Sequence, residues 1–422
     1  MQIIAMRIFH LYIDPATGSM LFSVLLGVFI TAGFFIRMMF IKLKTIVGGK
    51  TAASKATNFN KYLLYTDDKR YWNSFESILD EFEKRKLDVA FWTSSEDDPV
   101  FNKEYKYVHP EFIGAGNKAF VRLNAASADV LLTTTPGVDV LQWKRSRTVK
   151  KYVHFMHAAD SALGYGMFQL DFFDAVLTVS DFQSEEIKLM EKKREIPAKE
   201  LKVVGLPYFD ALLNKIKTSE KPENSKKVIL LAPSWGESGF LYRFGEKMID
   251  ALISTGYEII FRPHPQSYTA DKDLLDRLKV RYADCKNLIW NRDNDNFDVL
   301  NRADLLISDF SGVIFDFALV FEKPIMYTPV EDFDDSLYDS AWMKTNLWKF
   351  EVLPTIGSEV SEEDIDSIKS KIDATIASDE YGKGIKAARD FAWKNPGHSA
   401  ETIADYLIDL QHRIEDQEEV KK

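Results

Sequence analysis

A chain of 422 residues is too long for one hydrophobic core and suits two domains of ordinary size. At 46% hydrophobic and 13% aromatic it has ample apolar surface to bury, which argues against long disordered stretches. Its 54 basic and 64 acidic residues leave a net charge of −10, the wrong sign for a general nucleic-acid binder, and a lone cysteine, Cys285, excludes an intrachain disulfide or a cysteine-cluster zinc site.

In chain order, the first element is an uncharged run from Pro15 to Ile36. Nineteen of its residues, 18–36, would span roughly 28 Å as a helix, close to the hydrocarbon thickness of a bilayer. Arg37, Lys42, Lys44, Lys50 and Lys55 follow it, whereas only Arg7 precedes it, opposed by Asp14. This bias predicts a single-pass anchor over 1–44 in the cell membrane, with the bulk of the protein in the cytoplasm. A cleaved signal peptide would carry its basic residues on the other side. A helix lying in the interface would need one strongly polar face, and a buried core helix stays open. Residues 45–58, with Gly48, Gly49 and several small polar residues, read as a linker.

From residue 59 short apolar runs alternate with helical stretches. Strands are expected at Tyr62–Tyr65, Val89–Trp92, Val130–Thr133, Tyr152–Met156, Ala175–Val179 and near Val203–Val204, each too short for a helix and rich in β-branched or aromatic residues. Between the first two, Trp72–Arg85 spaces Phe75, Ile78, Leu79 and Phe82 as one helical face. A polar stretch at 214–227 reads as an interdomain linker. The rhythm then restarts with strands at Val228–Leu231, Ile259–Phe261, Leu288–Trp290, Leu305–Ile307 and Ile325–Tyr327. Strands alternating with helices imply a parallel sheet in each half. The fold class is therefore α/β, with two Rossmann-like doubly wound domains at 59–213 and 228–385 facing across a cleft, as in glycosyltransferase-B enzymes. A helical tail over 386–422 is broken near Asn395-Pro396-Gly397.

Polar residues cluster where strands end, which is where such folds bind ligands. Strand Leu305–Ile307 runs into Ser308-Asp309-Phe310-Ser311-Gly312 and then an apolar helical face. Free N–H groups at that helix start favour a phosphate, Gly312 permits close approach, and the Asp309 carboxylate should turn toward backbone donors with the hydroxyls facing the ligand. Plain capping by Ser and Asp explains the same residues. Arg262-Pro263-His264-Pro265 follows the strand Ile259–Phe261 and offers a guanidinium fork and a titratable ring on a rigid segment. Pro233, Ser234 and Trp235, after Val228–Leu231, add a hydroxyl and an aromatic wall. In the first half His157 falls at the mouth of its strand, while His154 lies inside it and reads as core. One histidine per half suits acceptor activation on one side and charge handling on the other, with the assignment of the base open. The acidic run Glu331–Asp335 reads as a solvated loop rather than a metal site, and no nucleophile elbow, H-E-x-x-H or Walker lysine is present.

These segments resemble the CDP-glycerol glycerophosphotransferase family of teichoic-acid enzymes. The similarity rests on LAPSW (231–235), RPHP (262–265), SDFSGVIFDFALVFEKPIMYTP (308–329) and VVGLPYFDAL (203–212). The resemblance implies CDP-glycerol as donor, a lipid-linked or polymer acceptor at the membrane, release of CMP, and neither metal nor cofactor. It assigns His157 and His264 to transfer, and Pro233, Ser234, Trp235, Arg262, Ser308, Asp309, Ser311, Gly312 and Asp316 to the donor. The chain departs from the family where Ala158-Ala159-Asp160-Ser161 replaces a Gly-Thr-Pro-Leu-Lys segment, and where Gly312 replaces a serine. A UDP-sugar glycosyltransferase or epimerase, and a membrane-bound scaffold without activity, are the alternatives.

Overall fold

The computed structural model describes residues 60–420, apart from 221, 238, 294, 310 and 330–334. The anchor expected over 1–44, its linker and residues 331–334 of the acidic run lie outside the described residues. Among those described, no helix is long and apolar enough to cross a membrane.

Two all-parallel sheets organise the chain. The first has seven strands in the order β3-β2-β1-β4-β5-β6-β7: β1 Asn60–Thr66, β2 Val89–Thr93, β3 Val108–Phe112, β4 Ser127–Thr133, β5 Thr148–Phe155, β6 Ala175–Thr178 and β7 Glu200–Val203. The second has six in the order β10-β9-β8-β11-β12-β13: β8 Val228–Leu231, β9 Glu258–Phe261, β10 Leu288–Trp290, β11 Leu305–Ser308, β12 Ile325–Tyr327 and β13 Gly357–Glu359. Each order reverses direction once, between β1 and β4 and between β8 and β11. That is the doubly wound pattern, with its ligand crevice at the carboxyl ends of those strands.

The central strands are apolar on both faces because both faces are covered. Ile229 and Leu231 pack on one side of the second sheet with Phe240, Met248 and Ile249, whereas Val228 and Leu230 belong to a core that continues through Leu63, Leu131 and Tyr152 of the first. The helix Trp72–Arg85 lays Phe75, Ile78, Leu79 and Phe82 on the first sheet. The same face takes Ile403, Ala404, Leu407, Leu410 and Ile414 from the helix Ser399–Glu419. The chain thus leaves the first lobe after the helix Pro207–Thr218, builds the second, and comes back. A further tie is the two-residue antiparallel bridge Gly166–Tyr338, beside which Arg194 is buried against Asp171 (2.6 Å) and Asp339.

Candidate active site in the interlobe cleft

In the second lobe, β8 and β11 lie side by side and their following turns share one anchor. The Asp309 carboxylate, 1% exposed, accepts the N–H of Ser234 at 3.0 Å on each oxygen, the N–H of Phe240 at 2.9 Å, and the Ser234 hydroxyl. The fully buried Ser308 hydroxyl donates to the Ala232 carbonyl at 2.7 Å. Here the structure corrects the sequence reading. The hydroxyls of Ser234 and Ser308 point into the protein rather than at a ligand, because the turns consume them as internal donors. Pro233 is buried behind them. What the turns leave open is Ser311, partly exposed, and Gly312, exposed with nothing within 4 Å of where a Cβ would stand. Trp235 keeps 46% of its surface exposed.

β9 delivers Arg262 and His264. Arg262 donates to the Asn291 side chain and, at 2.7 Å, to the Asp293 carbonyl, which fixes its fork at the edge of the crevice. Nδ1 of His264 accepts the Gln266 N–H at 3.2 Å, so in the neutral ring the proton sits on Nε2. Burial lowers the affinity of His264 for a second proton; Asp309 opposes that shift and Arg70 reinforces it. Asp316 accepts the Tyr208 hydroxyl at 3.2 Å, and burial pushes its carboxyl up to about 7. Its oxygen is thereby tied to the helix Pro207–Thr218, where the chain crosses between lobes.

In the first lobe β5 ends at Phe155 and His157 follows two residues later, half-buried. The Tyr165 hydroxyl lies 3.2 Å from its Nδ1 and 3.1 Å from Nε2 of the fully buried His154. The Tyr71 ring meets His157 edge-on at 5.0 Å. Burial, with Arg70 beside it, pushes the His157 ring down to about 4. The segment after His157 is held from the helix Asp181–Arg194: Gln183 donates to the carbonyls of Ala158 (3.0 Å) and Asp160 (2.6 Å), and Glu186 accepts the Ser161 hydroxyl (2.6 Å) and Ala162 N–H (2.7 Å).

Between the lobes lies a cleft of about 560 Å³, lined by Lys69 and Arg70 from one side and Arg262, Tyr268 and Arg292 from the other, with Asp68, Asp293 and Asp295 among them. Arg292 stacks over the Tyr268 ring at 4.3 Å. Four cations around a crevice suit a ligand bearing phosphates. Sequence reading missed Arg70, Tyr268 and Arg292, which sit in no motif; the signal for Arg70 was its place just past the end of β1, at the reversal of strand order. Among the described residues no group of three or more His, Cys, Asp or Glu side chains could hold a metal.

Comparison with known proteins places these features in context. Residues 60–407 match the family model described as CDP-glycerol:poly(glycerophosphate) glycerophosphotransferase. A teichoic acid glycerol-phosphate primase from Bacillus spizizenii is 29% identical over 135 residues, covering 29% of this chain and 32% of that protein, so the match spans about a third of the curated relative's length. The solved wall teichoic acid polymerase TagF shares the fold at a TM-score of 0.58 and 17% identity, over 90% of this chain and 98% of that one. A putative UDP-N-acetylglucosamine 2-epimerase from Listeria monocytogenes shares it at 0.52 and 13%, over 82% and 94%.

Proposed function

The chain belongs to the CDP-glycerol:poly(glycerophosphate) glycerophosphotransferase family, and from that membership we propose that it moves glycerol phosphate from CDP-glycerol to a hydroxyl of a membrane-associated surface-polymer acceptor. The carrying observation is Arg70, which lines the cleft. His157 and His264 come from opposite lobes, and Arg70 bears on the protonation of both. In the reaction the acceptor oxygen bonds to the β-phosphorus, the bond from that phosphorus to the bridging oxygen breaks, and CMP leaves with the electron pair.

The two rings divide the work by their hydrogen bonds. His264 presents Nε2–H and suits donation to a phosphoryl oxygen, alongside Arg262 and the exposed backbone at Ser311 and Gly312. His157 is uncharged at neutral pH and takes the acceptor's proton as it leaves. Arg70 and Arg292 face the diphosphate from the two sides. The charge bias around residues 18–36 supports placing the protein at the membrane with this cleft on the cytoplasmic side; recovery of the full chain in a salt-washed soluble fraction would contradict it.

The test is CMP release from CDP-glycerol. His157→Ala and His264→Ala are each expected to slow it on the order of 10²–10⁴-fold. Wild-type rates in both variants, or release of UMP or UDP from a UDP-sugar in place of CMP, would overturn the assignment.

A further inference from the structure

We propose that Asp67 and Thr135 form an acceptor subsite beside His157, one that selects a chain end bearing two adjacent hydroxyls. The inference rests on the transfer reaction proposed above and names the part of the acceptor that the first lobe reads. Strands β1, β4 and β5 of that lobe lie side by side at the reversal of strand order, with Tyr65 opposite Thr133 and Thr133 opposite His154. Just beyond their ends stand Asp67, Thr135 and His157. With one strand between them, the strands that carry Asp67 and His157 are about 10 Å apart, a gap their side chains and a small diol can close. The two residues also share neighbours. The Tyr71 ring meets His157 at 5.0 Å and feels the charge of Asp67, and the Arg70 charge acts on all three.

The fold does little to satisfy the Asp67 carboxylate. Thr135 donates its hydroxyl to Oδ1 at 3.1 Å, and Oδ2 receives no hydrogen bond from any other described residue. Burial raises the Asp67 pKa above its ordinary value, and the Thr135 hydroxyl and Arg70 only oppose that rise. The ionised group therefore costs stability at neutral pH, whereas a carboxylate kept for structure would be held by donors that lower its pKa. A carboxylate accepts hydrogen bonds and gives none, so a ligand hydroxyl completes it. Its charge, with Asp68 also lining the cleft, repels a phosphate from this end. The diphosphate thus belongs with Arg262 and the turn at Ser311, and the uncharged, hydroxyl-bearing end of the acceptor belongs with Asp67. One acceptor hydroxyl gives its proton to His157 as its oxygen attacks; the adjacent hydroxyl donates to Asp67 and fixes the direction of attack. A glycerol terminus carries such a pair, and an end with a single hydroxyl does not.

The experiment uses full-length protein, CDP-glycerol and two synthetic acceptors. One is an alkyl phosphoglycerol with a free vicinal diol; the other ends in phosphorylated 1,3-propanediol, which keeps the primary hydroxyl and lacks its neighbour. CMP release by wild type is expected to favour the diol on the order of 10²-fold in kcat/KM for the acceptor. Asp67→Ala should bring the diol down to the level of the propanediol, to within about threefold, and leave KM for CDP-glycerol unchanged. Asp67→Asn, which removes the poorly solvated charge, is expected to unfold at or above the wild-type temperature. A wild type that uses both acceptors equally overturns the subsite, as does an Asp67→Ala enzyme that keeps the preference while losing thermal stability. A wild type that releases CMP with cell-envelope membranes but with neither synthetic acceptor overturns the diol assignment and leaves the transfer reading standing. Absence of CMP release with membranes and with both acceptors sinks the transfer reading itself.

Discussion

Asp309, just after β11, holds the Ser234 backbone N–H at 3.0 Å on both of its oxygens, so one side chain ties the two turns at the reversal of strand order. Asp309→Ala would strand the buried N–H groups of Ser234 and Phe240. The expected loss of stability is on the order of 3 kcal/mol. Thermal unfolding checks it: a drop of several degrees is expected, with donor binding lost as the turns separate, and an unchanged midpoint would contradict the anchor role.

Gly312 tests the opposite property, open space. Its φ is −57°, ordinary for any residue, and no atom lies within 4 Å of where an added methyl would stand. Gly312→Ala should therefore leave the unfolding temperature within about a degree of wild type, while raising KM for the donor by roughly tenfold if an anion sits on that backbone. Donor kinetics unaffected by the methyl would remove the phosphate from this turn.

Arg70 sets the charge of the cleft. Its guanidinium opposes protonation of His157 and His264, so Arg70→Ala should raise the pKa of both rings. With His157 at about 4, the acid limb of kcat/KM in wild type should lie well below the usual histidine range near 6.5. In the variant the limb moves to higher pH and the plateau falls about 10²-fold, since a phosphate partner is lost too. An acid limb that stays in place would show that Arg70 does not act on the base.

Asp316 gives a stability signature. Its carboxyl titrates near 7 in the folded protein and near 3.8 when free, so between those values the folded chain holds a proton that the unfolded chain has lost. Stability from this group is therefore present below 3.8 and declines as pH rises toward 7, by about 4 kcal/mol in full. Asp316→Asn removes the titration while its amide oxygen can still accept the Tyr208 hydroxyl. The variant should equal or exceed wild type in thermal stability at pH 8 and lose that advantage by pH 5; parallel curves across the range would refute the shift.

How much of this could be read from the chain depends on what each residue touches. Central strands such as Val228–Leu231 and Leu305–Ser308 stood out because apolar runs of that length fit only a sheet covered on both faces. Two of the edge strands did not. Val108–Phe112 contains Pro110 and exposes most of its side chains, and Gly357–Glu359 is polar, so neither carries the buried-strand pattern. At the site, Arg262, His264 and the turn after Ser308 were legible because they directly follow strand ends. The inward orientation of Ser234 and Ser308 was not, since it depends on pairing between turns 75 residues apart. Arg70 and Arg292 lie outside any motif, and only the meeting of two lobes brings them to one cleft.

The return of Ser399–Glu419 to the first sheet has a consequence for how the polypeptide matures on the ribosome. Sheet strands β1 to β7 are synthesised early, yet the surface that Ile403, Leu407 and Ile414 will cover remains bare until nearly the whole chain has been made. The face of the later-made sheet built from Ile229, Leu231 and Phe240 is complete by residue 376, ahead of the outer face of the earlier one. Assembly thus runs out of synthesis order, and a nascent chain paused before residue 399 would present an oily flank to chaperones.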